Sequence, residues 1–406
     1  MANCTPMVVQ LCIVTGQPLA NLIPILQEKP ARVALAVSDG MTAEADSFEQ
    51  TLAMAGWADE RVDRFECLPA NGYDAIFMRA LEIEEAILAR HPGCSIVYNA
   101  TGGNKLMAMA FGSVFGAGTE KRRVIYVDTP GRSIEVLHPR NEPPVPMASV
   151  LNLELYLKAE GKTVRSRQDS DPVWREAADI RKPATRFLAN NADQLGWLVS
   201  QFNRQLGPFH GSGDSPSALR LDGHPRGLAL RALERLEETG VLAPGKDHSE
   251  WRLIAPDAMK YLSGAWLEEY VWLVARDCGV DEVALSLTMT DDFARKADLR
   301  NEIDVAVVHA NQLLLIECKT GNLARDGKDQ DTVYKLDSLA DQAGGILGAG
   351  LLVSFQPLER TTRVGRKVNI RARAGSVALY TCEAGQLSNL KYSIQHWMQT
   401  GKWEVV

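Results

Sequence analysis

The chain has few cysteines, seven in 406 residues, and no two of them form a C-x-x-C pair. Cys4, Cys12, Cys67, Cys94, Cys278, Cys318 and Cys382 are scattered, several inside apolar runs. That pattern argues against a disulfide scaffold or a cysteine zinc site and implies reduced, buried thiols. No stretch approaches the ~18–20 apolar residues of a membrane span. The N-terminus, MANCTPMVVQLCIVTG, has no basic segment followed by a long apolar run. A cytoplasmic protein that does not engage membranes is therefore expected. Excess positive charge is missing too. The net charge is −7, so contact with nucleic acid would need a local basic patch. Also absent are H-E-x-x-H, G-x-S-x-G, the Walker A pattern and G-x-G-x-x-G. Zinc peptidase, serine hydrolase, ATPase and dinucleotide redox chemistry are left without support.

What the chain does have is patterning for two or three domains. Over residues 1–138, the strand-like runs MVVQLCIV, RVALAVS, VDRFECL, CSIVYN and RRVIYVD alternate with helical stretches near 19–27, 41–54, 72–90 and 105–115. This alternation predicts a Rossmann-like parallel sheet with helices on both faces. SIEVLH follows RRVIYVD across TPGR and adds an antiparallel edge. Pro139, Pro143, Pro144 and Pro146 stop helix and central strand alike, which places a first boundary at about 140. Residues 150–255 read as a small helical bridge. Within it, LALRALERLEETGVL followed by EWRLI resembles a winged helix-turn-helix, here expected to be structural. Residues 256–406 open with a helix, AMKYLSGAWLEEYVWLVAR, and continue as a mixed α/β domain.

The densest chemistry lies in NEIDVAVVHANQLLLIECKTG. A two-residue turn at Ala310–Asn311 would set Asp304, five residues before His309, opposite Glu317, five residues after Gln312. Lys319 shares the face of Glu317, and Cys318 points the other way. Two carboxylates and an ammonium at strand ends carry a desolvation cost unless paired or bound to an ion. Hard oxygen ligands suit Mg²⁺ or Mn²⁺, with Asp304 and Glu317 as the metal ligands. Downstream, Arg360, Arg363, Arg366, Lys367, Arg371 and Arg373 form a basic stretch with no acid between them, suited to a phosphate backbone.

A second constellation follows CSIVYN. The turn ATGGNK leads into the helix LMAMAFGSVF, and a glycine turn at a helix N-terminus is a natural anion site. Asn99, Thr101, Gly102, Gly103, Asn104 and Lys105 are the ligand-binding candidates here. Thr15, Gly16 and Gln17 after the first strand, and Ser38 and Asp39 after the second, should meet the same crevice.

The Asp, then Glu-x-Lys, order of Asp304, Glu317 and Lys319 resembles the PD-(D/E)xK restriction-endonuclease-like nucleases. In that family a preceding helix commonly supplies another acid; Glu268 in GAWLEEY is the closer match, with Glu269 as fallback. The first domain, with its TGG-x-K turn, is similar to CARF domains, the sensors of CRISPR-associated proteins. The pair of resemblances implies a cyclic-oligoadenylate-activated CRISPR ancillary nuclease of type III antiviral defence. It implies a homodimer that binds cyclic tetra-adenylate, or hexa-adenylate, across its two-fold axis. The substrate would be DNA, RNA or both. A nucleotide-sensing transcription regulator that uses the winged-helix segment, with an inactive nuclease fold, is the alternative.

Overall fold

The computed structural model describes residues 7–117, 121–209, 216–294, 300–321, 323, 328–361 and 367–405. It divides into two units, Met1–Thr163 with Gly345–Leu347, and Val164–Gly344 with Gly348–Val406. Among the described residues no helix is long and apolar enough to cross a membrane.

The first unit is built from β1 (Val8–Ile13), α1 (Leu19–Glu28), β2 (Arg32–Ser38), α2 (Thr42–Met54), β3 (Val62–Leu68), α3 (Tyr73–Arg90), β4 (Ser95–Asn99), α4 (Lys105–Phe115), β5 (Arg122–Asp128), β6 (Ser133–His138), β7 (Val145–Pro146) and α5 (Leu153–Ala159). The sheet order is β3-β2-β1-β4-β5-β6-β7. Strands β1 to β5 are parallel, and β6 and β7 close the sheet antiparallel. The chain therefore leaves β1 toward one edge and returns on its other side at β4. A strand-order reversal of this kind opens a crevice at the C-terminal strand ends. Strand β1 is buried on both faces, consistent with its nearly continuous apolar run. Tyr98 lies 5.5 Å from each of Phe111 and Phe115, locking β4 to α4. The proline-rich span does not end the unit. Val145–Pro146 pairs with β6 as the outer strand, where a missing N–H costs no ladder bond.

The second unit follows from β8 (Lys162–Ser166), which leads out of the first. It continues through α6 (Pro172–Asn190), α7 (Gly196–Leu206), β9 (Ala218–Arg220), α8 (Leu228–Glu238), β10 (Leu242–Pro244), β11 (Glu250–Leu253), α9 (Ala258–Lys260), α10 (Trp266–Cys278), β12 (Glu282–Asp291), β13 (Arg300–His309) and β14 (Gln312–Lys319). The last elements are α11 (Lys328–Gly344), β15 (Gly348–Ser354), β16 (Glu359–Thr361), β17 (Lys367–Asn369), α12 (Ile370–Ser376), β18 (Tyr380–Glu383) and α13 (Leu390–Thr400). The main sheet runs β18-β15-β14-β13-β12-β8, antiparallel from β12 to β14 and parallel from β14 to β18.

Residues 150–255 do not form a third unit. From Val164 onward they share one apolar core with the C-terminal part: Leu188, Leu198 and Phe202 belong to the same cluster as Trp266, Val271 and Ile316. Their small sheet has the order β10-β11-β9, all antiparallel. Because β9 stands between α7 and α8, these two helices are not joined by the short turn of a helix-turn-helix. The GSGDS loop at 211–215 lies outside the described residues. The helix expected over 258–276 is interrupted at a π-helical turn, Tyr261–Ala265, where Gly264 has φ 157°. Glycine tolerates this backbone, and α10 restarts at Trp266 on a new course.

Candidate functional site

At the cleavage candidate, the hairpin has the geometry its sequence predicts. Ala310 and Asn311 carry φ values of 49° and 62°, the two positive torsions of a tight hairpin turn. His309 pairs with Gln312, and the register continues to Val305 opposite Ile316. Asp304 and Glu317 come next on their strands. Here a side chain takes over from the backbone ladder: Cys318 N donates to Asp304 Oδ2 at 2.7 Å. The Lys319 ammonium lies 2.5 Å from Glu317 Oε1 and 3.7 Å from Asp304 Oδ2. Cys318 points into the apolar core. Asp304, Glu317 and Lys319 are thus brought together.

Glu268, in the first turn of α10, feels the charges of Asp304, Lys260, Lys319 and Glu302. Burial, and then the neighbouring Asp304 charge, push its carboxyl up to about 8. Burial and Glu317 push Asp304 up to about 6, against the pull of Lys319 and the Cys318 N–H. Burial alone would lower the Lys319 ammonium, but the carboxylates of Asp304 and Glu317 outweigh it and keep it charged. Glu269, the fallback, is turned away into a buried ion pair with Arg181, 2.7 Å distant. The adjacent acids of GAWLEEY therefore have separate partners.

Two residues of this centre went unnoticed in the sequence. Glu302 is two positions before Asp304, hence on the same face of β13, and Lys260 ends α9. The strand alternation could have revealed Glu302. Lys260, whose ammonium donates to Gln168 Oε1 at 3.2 Å, lies before the π-helical turn and still acts on the Glu268 charge. Among the described residues, four carboxylates, Glu268, Glu302, Asp304 and Glu317, and two ammonium groups, Lys260 and Lys319, feel one another's charge here. The surplus is negative and partly buried, which suits a divalent cation. Among the described residues, no three His, Cys, Asp or Glu side chains close on one point as a complete ligand set. The donors present are a carboxylate pair, as suits an ion that keeps water and substrate oxygens. Of the basic stretch, residues 362–366 lie outside the described residues, and Arg371 is already engaged with Glu383.

The first unit's candidates collect at the C-terminal ends of β1, β2 and β4. Thr15–Gln17 follow β1, Ser38 ends β2 with Asp39 after it, and the turn 100–104 follows β4. They divide by what their side chains do. Asn99 is fully buried; its Nδ2 donates to Ala20 O at 2.9 Å and to Asn21 Oδ1 at 3.0 Å. Thr101 Oγ1 donates to Asn99 Oδ1 at 2.7 Å and accepts from Val127 N at 2.8 Å. Asn104 caps α4 through Met107 N at 3.0 Å and holds Ala70 O at 2.9 Å. These three shape the edge. Asn21 completes the network by donating to Ile13 O at 2.9 Å, and it was invisible in sequence because it lies on an apolar helix.

The glycines are required by close approach. A Cβ on Gly102 would stand 2.3 Å from Ile13 O. Gly103 has φ 79°, and its Cβ would meet Ile13 Cγ2 at 2.9 Å. The exposed candidates at this edge are Gly16, Gln17, Asp39, Gly103, Asn104 and Lys105. Lys105 opens α4, so its charge adds to the N–H groups of the helix start.

Comparison with known proteins finds two family models, one for each candidate site. Residues 9–156 match the family model of the Card1 CARF domain, and residues 255–400 match that of the Card1-like endonuclease domain. No curated protein matches the chain. Among solved structures, protein VC1899 from Vibrio cholerae superposes with a TM-score of 0.82 at 22% identity, covering 98% of this chain and 100% of that one. Can2 from Sulfobacillus thermosulfidooxidans, in complex with cyclic tetra-adenylate, superposes with a TM-score of 0.71 at 23% identity, covering 96% and 97%.

Proposed function

We infer that this chain, which belongs over residues 9–156 to the Card1 CARF family and over residues 255–400 to the Card1-like endonuclease family, is a cyclic-oligoadenylate-activated nuclease of type III CRISPR defence. The observation that carries the reading is the surplus of carboxylates around Lys319 within the endonuclease match. A structural ion-pair cluster would balance its charges; a centre awaiting a cation and a phosphodiester need not. Asp304 and Glu317 are the residues that would hold Mg²⁺ or Mn²⁺. Such an ion, when bound, polarises a phosphodiester and lowers the pKa of its water. Lys319 stays an ammonium, so it serves to orient the attacking water and to stabilise negative charge, and it is a poor general base. Burial and the Asp304 charge raise Glu268 in the metal-free chain, and a cation bound at the pair would favour its charged form.

At the other edge, the N–H groups and Lys105 at the start of α4 favour phosphates. Gln17 and Asp39 offer polar contacts to bases. Two copies of this edge across a two-fold axis match a ring of even number. Cyclic tetra-adenylate is the first choice, because the superposed Can2 is described in complex with it, and hexa-adenylate is the second.

The test incubates the purified chain and Mn²⁺ with each cyclic oligoadenylate, offering supercoiled DNA, single-stranded DNA and RNA in parallel. Cleavage of at least one substrate only when a ring and metal are both present is expected. Cleavage that ignores the ring would contradict the sensor role, and none under any condition would contradict the nuclease role.

A further inference from the structure

The helices α6 and α7 lie far in sequence from the strands of the centre, yet each reaches a residue directly following a member of it. Next to Glu268, Glu269 is held from α6. Arg181 Nη2 donates to Glu269 Oε2 at 2.7 Å and its Nε at 3.1 Å, and Thr185 Oγ1 donates to Glu269 Oε1 at 2.8 Å. The same guanidinium donates to both oxygens of Asp257, at 3.0 and 2.8 Å, and lies 4.9 Å from the centroid of the Tyr261 ring. One buried cation thus ties Asp257, before the π-helical turn, to Glu269, after it. Next to Lys319, Thr320 is held from α7. Asn203 Nδ2 donates to Thr320 O at 3.2 Å, and Thr320 Oγ1 donates to Asn203 Oδ1 at 3.3 Å. The turn and the strand end also meet: a Cβ on Gly264 would lie 3.3 Å from Thr320 Oγ1.

Arg181 and Glu269 are 3% and 2% exposed. A pair buried this deeply gives little stability over apolar side chains of equal volume, but it fixes geometry. Resting on the nuclease reading above, we propose that Arg181 and Asn203 are positioning residues of the cleavage centre. Arg181 sets the entry of α10 so that Glu268 faces Asp304, and Asn203 sets the strand end that carries Lys319. The bridge then belongs to the nuclease as a mould for two sides of its centre.

The experiment uses the full-length chain with cyclic tetra-adenylate and Mn²⁺. Arg181→Ala would strand a buried carboxylate and could unfold the chain. The informative variants are therefore Asn203→Leu, the near-isosteric Thr320→Val, and Arg181→Met combined with Glu269→Gln, which leaves no unpaired buried charge. Each should lower kcat about 10- to 100-fold, with KM and ring affinity unchanged. Thr320→Ser keeps the hydroxyl and should retain wild-type kcat. Amide hydrogen exchange over 266–270 and 317–321 should quicken in the three impaired variants while the melting temperature holds. Wild-type kcat in those variants, or unchanged exchange in both segments, would overturn the proposal. A wild-type chain that cuts nothing would defeat the nuclease reading, and the exchange result alone would then decide whether the bridge clamps these segments.

Discussion

The two candidate sites treat polar groups in opposite ways. At the strand-end edge of the first unit, Asn21, Asn99, Thr101 and Asn104 satisfy one another and the backbone. Under the reading proposed above, recognition there would fall to backbone N–H groups, the start of α4 and Lys105, with Gln17 and Asp39 beside them. At the hairpin of the second unit, carboxylates outnumber ammonium groups among the described residues, and burial followed by that crowding raises Asp304 and Glu268 above the usual carboxyl range. The first site is prepared by removing frustration, as suits an edge that presents backbone N–H groups in a fixed array. The second retains frustration, as suits a centre completed by an ion and a charged substrate.

The largest effect expected from breaking this contrast is at Glu317. Glu317→Ala should lower cleavage by about 10³-fold or more while ring affinity stays at the wild-type value. Kinetics and calorimetry on the same preparation would check this, and wild-type cleavage would remove Glu317 from the centre. Lys105→Ala addresses the other side. Losing one charge-assisted contact to phosphate should weaken ring binding by about 10- to 100-fold and leave cleavage at saturating ring intact. An unchanged affinity would place the ring elsewhere.

The smallest effect concerns pH. Asp304 and Glu268 bind protons more tightly folded than unfolded, so folding takes up protons between the ordinary carboxyl range and the raised values. In the metal-free chain their contribution is fullest below about pH 4. It is lost as the pH rises through about 6 for Asp304 and about 8 for Glu268. Glu268→Gln should flatten the upper part of that fall in melting temperature, and an unaltered slope would show that Glu268 is not the burdened group.

How much of this was legible in the sequence follows the range of the interaction. The hairpin carrying Asp304, Glu317 and Lys319 was readable because a two-residue turn and strand alternation are local. The parallel strands of the first unit were readable for the same reason. The glycines of ATGGNK announced a close approach, and Ile13 O is what they approach. The choice of Glu268 over Glu269 came from a resemblance, and the two are physically separated by a partner, Arg181, far upstream. That contact, the Asn203–Thr320 contact and the role of Lys260 depend on how elements distant in sequence pack. The interrupted helix was missed because Gly264 reads as a tolerated helix glycine until its torsion is seen. That Asn99, Thr101 and Asn104 are also held by neighbouring side chains and the backbone was not legible, because a sequence does not show which polar groups are engaged.

Mn²⁺ binding tests the account at its centre. Calorimetric titration of the ring-bound chain should show an ion bound by the wild type, and its affinity should fall by about tenfold or more in Asp304→Asn and in Glu317→Ala, since each removes one charged ligand. Ring affinity should be equal in all three proteins. Mn²⁺ affinity that is the same in wild type and both variants would mean that the carboxylate surplus around Lys319 serves no ion, and the nuclease assignment of this hairpin would fall.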